Sequence, residues 1–398
     1  MQKNLLKAIL RSFKGGTFAV TYWDGQTEVF GDDSSIEPPV KIIFNEELNF
    51  KEMLLDPVMQ FGEAYLDQKI DFEGDLHYLF RLLMQNEHLF REGGFKDGLF
   101  QRFMKYRAAS PSAQKQEDTW WQYDLGNDFY KLWLDKTMSY SCAYFKDPAD
   151  SLEQAQLQKI DYTLRKLNLK EGETLLDIGC GWGWLIIRAA REYGVKALGI
   201  TLSSEQEEET RKRIEEEGLQ DRVQVRLADY RDLAVERLTF DKIVSLGMLK
   251  HVGKEFIPVY FSSLQKILKP QGLSLLHTVT RPLESPPMPW MEKYIFPWNY
   301  VPSLREVLWN LPEYSFHIID MESLRLHYAM TTRRWAENFE KVTDQVSEKY
   351  GERFVRLWKL YLVGRSELFL SSGLDVHQVL FCRDWCNELP LTREYLYR

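Results

Sequence analysis

The chain has 398 residues, of which 44% are hydrophobic and 28% charged; this is too long for one small core and excludes wholesale disorder. A net charge of −8 gives no electrostatic support to a nucleic-acid partner. No apolar run reaches bilayer-spanning length, Lys7, Arg11 and Lys14 interrupt any signal-peptide-like stretch, and the four cysteines (Cys142, Cys180, Cys382, Cys386) are too scattered for a disulfide framework or a metal site. A cytoplasmic protein without a bound metal is therefore expected.

The first segment, MQKNLLKAILRSFKGG, has the period of an amphipathic helix, with Leu6, Ile9, Leu10 and Phe13 on one face and Lys3, Lys7, Arg11 and Lys14 on the other. Such a helix either lies on an anionic membrane surface or packs on its own domain, and the pattern does not choose. Two alternating runs then flank Asp24-Gly25, a hairpin signal. Residues 1–105 are expected to form a small α+β domain. The polar, Pro111-containing stretch at about 106–118 is expected to be a linker, and 119–398 a second domain.

From Leu152 onward, helical patterns separate apolar strand candidates at 174–178, 195–200, 223–227, 242–246 and 273–279. That alternation predicts an α/β fold with a parallel sheet covered on both faces. After Val279 comes an insertion, RPLESPPMPWMEKYIFPWNYVPS, rich in proline and aromatic residues, which is either a lid or a structural loop.

The sharpest motif is LLDIGCGWGWL. A buried strand runs into Gly179, Gly181 and Gly183, and a helix follows. Glycine permits the tight turn and close backbone approach, and the helix start offers free N–H groups to a carboxylate. Dinucleotide domains share such a turn, but there the second strand ends in an acid that grips the ribose. Here it ends GITLSSEQ, and the third strand ends LADYRDL, placing Asp229 and Tyr230 where an adenine can stack. These features favour S-adenosylmethionine, whose methionine end carries the carboxylate, and a Rossmann-like methyltransferase over a dehydrogenase.

The motifs LLDIGCGWG, GITLSSEQ, DYRDL and YDLGNDFYKLWLDKTMSYSCAYF together resemble the cyclopropane-fatty-acyl-phospholipid synthase family, which includes the mycolic acid cyclopropane synthases. The likeness runs from about Gln122 to Arg383. It extends into the N-terminal domain through FGEAYLDQKIDFEGDL, similar to the lipid-associated domain of the bacterial phospholipid enzymes. The resemblance implies transfer of a methyl from S-adenosylmethionine to a cis double bond of a phospholipid acyl chain, followed by proton removal and ring closure, with a bound bicarbonate as base. It also implies peripheral membrane contact and a homodimer.

Carried over by motif, Tyr140, Ser141, Gly179, Gly181, Thr201, Leu202, Gln206 and Tyr230 would contact the cofactor. Cys142, His277 and Tyr328 would surround the bicarbonate. Read without the resemblance, Cys142 is an ordinary buried cysteine and His277 a structural histidine.

Two positions depart from the family. GMLKHVG carries Lys250 where the family has glutamate, and YLVGRSELF carries Arg365 where it has cysteine. Milder departures are Gln122 for a histidine and Trp298 for a glycine. Neighbouring strands four and five would turn Lys250 and His277 toward one pocket. Exchanging a carboxylate for an ammonium reverses the local charge, so Lys250 and Arg365 either still grip an anion or redirect the chemistry. Three readings follow: ring formation, a related lipid C-methylation with another product, or a silent lipid-binding homologue.

Overall fold

The computed structural model describes residues 2–32, 37–49, 53, 56–86, 125–297 and 299–397. In chain order the elements begin with α1 (Gln2–Leu10), β1 (Thr17–Thr21), β2 (Thr27–Gly31), β3 (Val40–Phe44), α2 (Pro57–Leu66), β4 (Ile70–Gly74) and α3 (Leu76–Gln85). Next come α4 (Asn127–Trp133), α5 (Leu152–Lys166), β5 (Thr174–Ile178), α6 (Trp184–Tyr193), β6 (Lys196–Thr201), α7 (Ser204–Glu216), β7 (Val223–Leu227), α8 (Tyr230–Val235) and β8 (Phe240–Leu246). The rest comprises α9 (Ile257–Ile267), β9 (Leu268–Thr280), α10 (Pro289–Tyr294), α11 (Leu304–Glu313), β10 (Phe316–Ser323), α12 (Arg325–Glu340), α13 (Thr343–Tyr350), α14 (Glu352–Leu370) and β11 (Asp375–Arg383).

The chain divides into two units. The first combines the N-terminal segment with Met288–Ile295 and Phe339–Ser371, two pieces that a boundary at 119 assigns to the second domain. The expected linker at 106–118 lies outside the described residues.

In the first unit, strands run in the order β2-β1-β3-β4, with β1 antiparallel to β2 and parallel to β3. Gly25 sits at φ +80 in the β1–β2 turn, the left-handed backbone an Asp-Gly hairpin requires. The apolar face of α1 is covered within the unit, with Leu6 and Leu10 buried. Its lysines are engaged there as well: Lys3 binds Asp24 at 2.5 Å and lies 4.3 Å from the Tyr22 ring centre, and Lys7 binds Glu28. Of the two readings of this helix, the structure displays the one packed on its own domain. Arg356 of α14 donates to the carbonyls of Tyr65 (2.6 Å) and Ile70 (2.9 Å), stapling the α2–β4 connection.

The second unit is built on a seven-stranded sheet in the order β10-β11-β9-β8-β5-β6-β7. Strands β5, β6, β7, β8 and β9 pair in parallel; β11 and β10 add antiparallel at one edge. The five strands read from the sequence are all present. From β5 the chain first builds outward through β6 and β7, then returns to the other side for β8 and β9. The sheet therefore has its topological switch between β5 and β8, the place where such sheets bind ligands at the carboxyl ends of their strands. The core on one face gathers around Leu176, Ile243 and Phe261, on the other around Leu175, Ile186 and Val244.

Candidate functional site

At the switch point, β5 delivers the glycine turn. The amides of Gly179 and Cys180 both donate to the Ile200 carbonyl (2.9 and 3.0 Å), carrying the β5–β6 pairing past the strand end. Gly179, Gly181 and Gly183 have φ of +83, +56 and +82, which L side chains rarely adopt. Their neighbours differ. A Cβ at Gly183 would lie 2.3 Å from Thr210 Cγ2, whereas one at Gly181 would meet nothing within 4 Å. Gly183 is thus needed for packing, and Gly181 presents bare backbone to open space beside the start of α6. That cradle fits the amino-acid end of S-adenosylmethionine.

The second strand ends in Thr201, whose hydroxyl donates to Gln206 Oε1 at 2.7 Å, both residues being buried. Ser203 caps α7 by accepting from the Gln206 amide. Leu202 stands between them 48% exposed, toward the same sheet edge. Asp229 caps α8, and Tyr230 packs edge-on against Tyr260 at 5.3 Å. Burial covers most of Tyr230 and pushes its phenol up to about 12.

Residues 137–145, which contain Tyr140, Ser141 and Cys142, form neither helix nor strand. Side chains of α5 hold them: Gln156 Nε2 donates to the carbonyls of Ser139 (3.2 Å) and Ser141 (3.0 Å), and Lys159 Nζ donates to Ser141 Oγ (3.0 Å). Tyr140 belongs to an aromatic cluster with Tyr130, Trp133 and Trp335 at centroid distances of 5.4, 5.7 and 5.1 Å. Tyr130 also meets Trp182 of the glycine turn (5.8 Å), and Trp335 meets Tyr328 (5.9 Å). Trp182 donates in turn to Asn127 Oδ1 at 2.7 Å, tying the turn to the start of α4.

The structure brings Cys142, Tyr328 and His277 into one framework. The Leu324 carbonyl receives the Cys142 thiol (3.8 Å) and the Tyr328 amide (3.0 Å), while the Leu324 amide donates to Val376 of β11 (2.7 Å). Two residues further along β11, Gln378 lies opposite His277 of β9 and places its amide nitrogen 3.2 Å from Nδ1. His277 is 2% exposed; burial, with the positive charges of Lys159 and Lys166 added, pushes its pKa down to about 3 and keeps the ring neutral.

β8 and β9 are neighbours, with Leu246 opposite His277, as the pocket expectation required. Lys250 follows on a short 3₁₀ turn, Leu249–His251. It is 6% exposed, and its ammonium sits 4.4 Å from the Phe296 ring centre, so it is a buried cation rather than a solvated loop lysine. Arg365 lies on α14, in the first unit, with its guanidinium 5.8 Å from the Tyr361 ring centre and 5.6 Å from that of Phe369. Gln122 and Trp298 lie outside the described residues.

Gln378, Lys159, Gln156 and the aromatic cluster were not anticipated. One signal was available for α5: Gln156, Lys159, Thr163 and Lys166 recur at helical spacing and are all buried, a polar stripe where an apolar one is the rule.

A switch-point cradle beside a neutral histidine and a cationic lysine, under a sheet of this order, defines an S-adenosylmethionine-dependent methyltransferase. Residues 110–379 match the family model "Mycolic acid cyclopropane synthetase", and residues 5–93 match a domain of unknown function, DUF7884. The chain belongs to the mycolic acid cyclopropane synthetase family. It is 36% identical over 386 residues to a probable fatty acid methyltransferase of Pseudomonas putida, covering 94% of this chain and 95% of the relative. It is also 36% identical over 350 residues to the cyclopropane-fatty-acyl-phospholipid synthase of Escherichia coli strain K12, covering 86% and 88%. Among solved structures it resembles a mycolic acid cyclopropane synthase complexed with SAH and CTAB, at TM-score 0.63 and 32% identity, covering 67% of this chain and 98% of the other.

Proposed function

We propose that this enzyme converts the cis double bond of unsaturated phospholipid acyl chains into a cyclopropane ring. The observation that carries the reading is the joining of Cys142, Tyr328 and His277 through Leu324 and β11, beside the loop that carries Tyr140 and Ser141. When bound, S-adenosylmethionine supplies an electrophilic methyl on a sulfonium.

The chain's own residues do the rest. Gly179, Gly181, Thr201, Leu202, Gln206, Tyr230, Tyr140 and Ser141 hold the cofactor. An alkene is a weak nucleophile, so fixing it against the methyl supplies much of the rate. The faces of Tyr140, Trp133 and Trp335 favour positive charge and exclude the water that would trap it. Cys142, Tyr328 and His277 would bound a bicarbonate anion, which would supply the base for proton removal. A neutral His277 would donate to that anion from one ring nitrogen, and Lys250 would offset its charge. Arg365 is a further candidate for holding an anion. The alternatives of another methylated product or a silent homologue are not favoured, since relatives named as cyclopropane synthases span 86% of the chain. The substrate resides in a bilayer, so peripheral membrane contact belongs to the same reading; a homodimer is part of it through the family resemblance alone.

The test is expression in a host that makes no ring-bearing lipids, with mass spectrometry of the fatty acids. Acyl chains that gain one CH₂ and lose the alkene support the reading. Added mass with the alkene retained would overturn ring formation.

A further inference from the structure

We propose that Lys159 is a positioning residue that orients the Ser141 hydroxyl, and with it the Tyr140–Cys142 turn, for cofactor binding. The inference rests on Ser141 being a cofactor contact and deepens that reading.

Residues 137–145 contain no regular structure, so side chains must fix their backbone. Three anchors come from α5: Gln156 to the Ser139 and Ser141 carbonyls, the Ala155 carbonyl to the Tyr144 amide (3.0 Å), and Lys159 to the Ser141 hydroxyl. Two come from α12, where Thr331 and His327 accept the amides of Ala143 and Phe145, both at 3.0 Å. Met138 holds φ +55, a strained value for a bulky residue that only such over-determination sustains.

Among these anchors Lys159 alone carries charge, and it is 3% exposed. Burying an ammonium is costly, and an apolar side chain would fill the position more cheaply. Burial pulls the Lys159 pKa down to about 8, and the neighbouring Asp135, followed by Cys142 and Asp177, acts against that pull. Asp135 stands just ahead of the loop, and Asp177 stands in β5 two residues before Gly179. Asp177 is buried and Asp135 half-buried, and each has a buried oxygen without a hydrogen-bond partner among the described residues. One ammonium therefore acts on both segments that the reading assigns to the cofactor.

The hydroxyl chemistry gives this a consequence. An ammonium has donors and no acceptor, so Ser141 Oγ must accept from it. The single Ser141 proton is thereby turned away from Lys159 and left to donate to an acceptor on the ligand, such as the carboxylate of its methionine portion. Without Lys159 the hydroxyl rotates and the donor loses its aim.

The test is titration calorimetry of the full-length protein with S-adenosylhomocysteine, for the parent, Lys159→Met, Ser141→Ala, the double variant and Lys159→Arg. Each single variant is expected to weaken binding about tenfold, the double variant no more than the weaker single, and Lys159→Arg to recover most of the affinity. Should Lys159→Met melt below the assay temperature, Lys159→Gln, which keeps a donor and sheds the charge, takes its place. Parent-like binding by the Lys159 variants alongside a weakened Ser141→Ala would overturn the proposal and leave the cofactor reading intact. Losses that multiply in the double variant would also overturn it. Parent-like binding by Ser141→Ala would sink Ser141 as a cofactor contact, and the role of Lys159 with it.

Discussion

His277 and Gln378 stand directly opposite one another on β9 and β11, with the glutamine amide nitrogen 3.2 Å from the histidine Nδ1. With the amide oriented as in the structure, Nε2–H donates to Nδ1 and the ring's own proton resides on its Nε2, the arrangement that donates to an anion. Gln378→Leu removes that restraint. It is expected to lower kcat about tenfold while leaving the KM for S-adenosylmethionine near the parent value. Gln378→Glu sets a carboxylate against the ring and raises its pKa, so the acid limb of the kcat profile should move toward neutral pH. Steady-state kinetics across pH check both, and an equal rise in KM for the Leu variant would speak against a role confined to the reacting end.

The neutral state of His277 also sets a stability signature. Its folded pKa is pushed down to about 3 from an ordinary 6.5. Between those values the unfolded chain binds a proton that the folded chain refuses. The stabilising contribution is therefore complete above 6.5 and is lost as pH falls, at about 1.4 kcal/mol per pH unit. From pH 7 to pH 5 the parent should lose about 2 kcal/mol more than His277→Gln in urea unfolding. Parallel pH dependence of the two proteins would count against a buried, neutral histidine.

The glycine turn separates folding from binding. Gly183→Ala drives a Cβ to 2.3 Å from Thr210 at a left-handed φ, so it should destabilise the protein by about 2 kcal/mol or more. Gly181→Ala meets no atom within 4 Å and should cost about 1 kcal/mol of backbone strain. Yet Gly181→Ala fills the cradle itself, and its affinity for S-adenosylhomocysteine should fall at least tenfold. Thermal melts beside calorimetry check the pair; near-parent binding by Gly181→Ala would displace the cradle from this position.

Lys250 provides a test of anion binding. Its ammonium is buried against Phe296, where charge is poorly screened. Lys250→Met should reduce product formation about tenfold or more and flatten its dependence on added bicarbonate, whereas Lys250→Arg should keep both. Unchanged bicarbonate dependence in Lys250→Met would remove the residue from the anion site.

The parallel half of the sheet was legible because buried strands leave near-continuous apolar runs, as in Leu175–Ile178 and Leu273–Leu276. The glycine turn was legible because positive φ selects glycine. β10 and β11 escaped notice for physical reasons. β10 is an edge strand that exposes Ile318, Ile319 and Met321 and shifts register between Ile318 and Asp320, so no clean alternation survives. β11 interrupts its apolar run with His377 and Gln378, one of which serves the site. The Lys159–Ser141 bond joins residues 18 apart through a loop that folds back on α5, and local patterning carries no trace of such a return. Arg365 is a site candidate by motif, and the membership of its helix in the first unit is set by packing that local sequence does not display.

The most direct measurement is incubation of the purified protein with methyl-labelled S-adenosylmethionine and vesicles of unsaturated phospholipid, followed by mass spectrometry of the released acyl chains. The account predicts chains bearing one labelled CH₂ in place of the double bond. Acyl chains without label, or a labelled methyl on a chain that keeps its alkene, would contradict it.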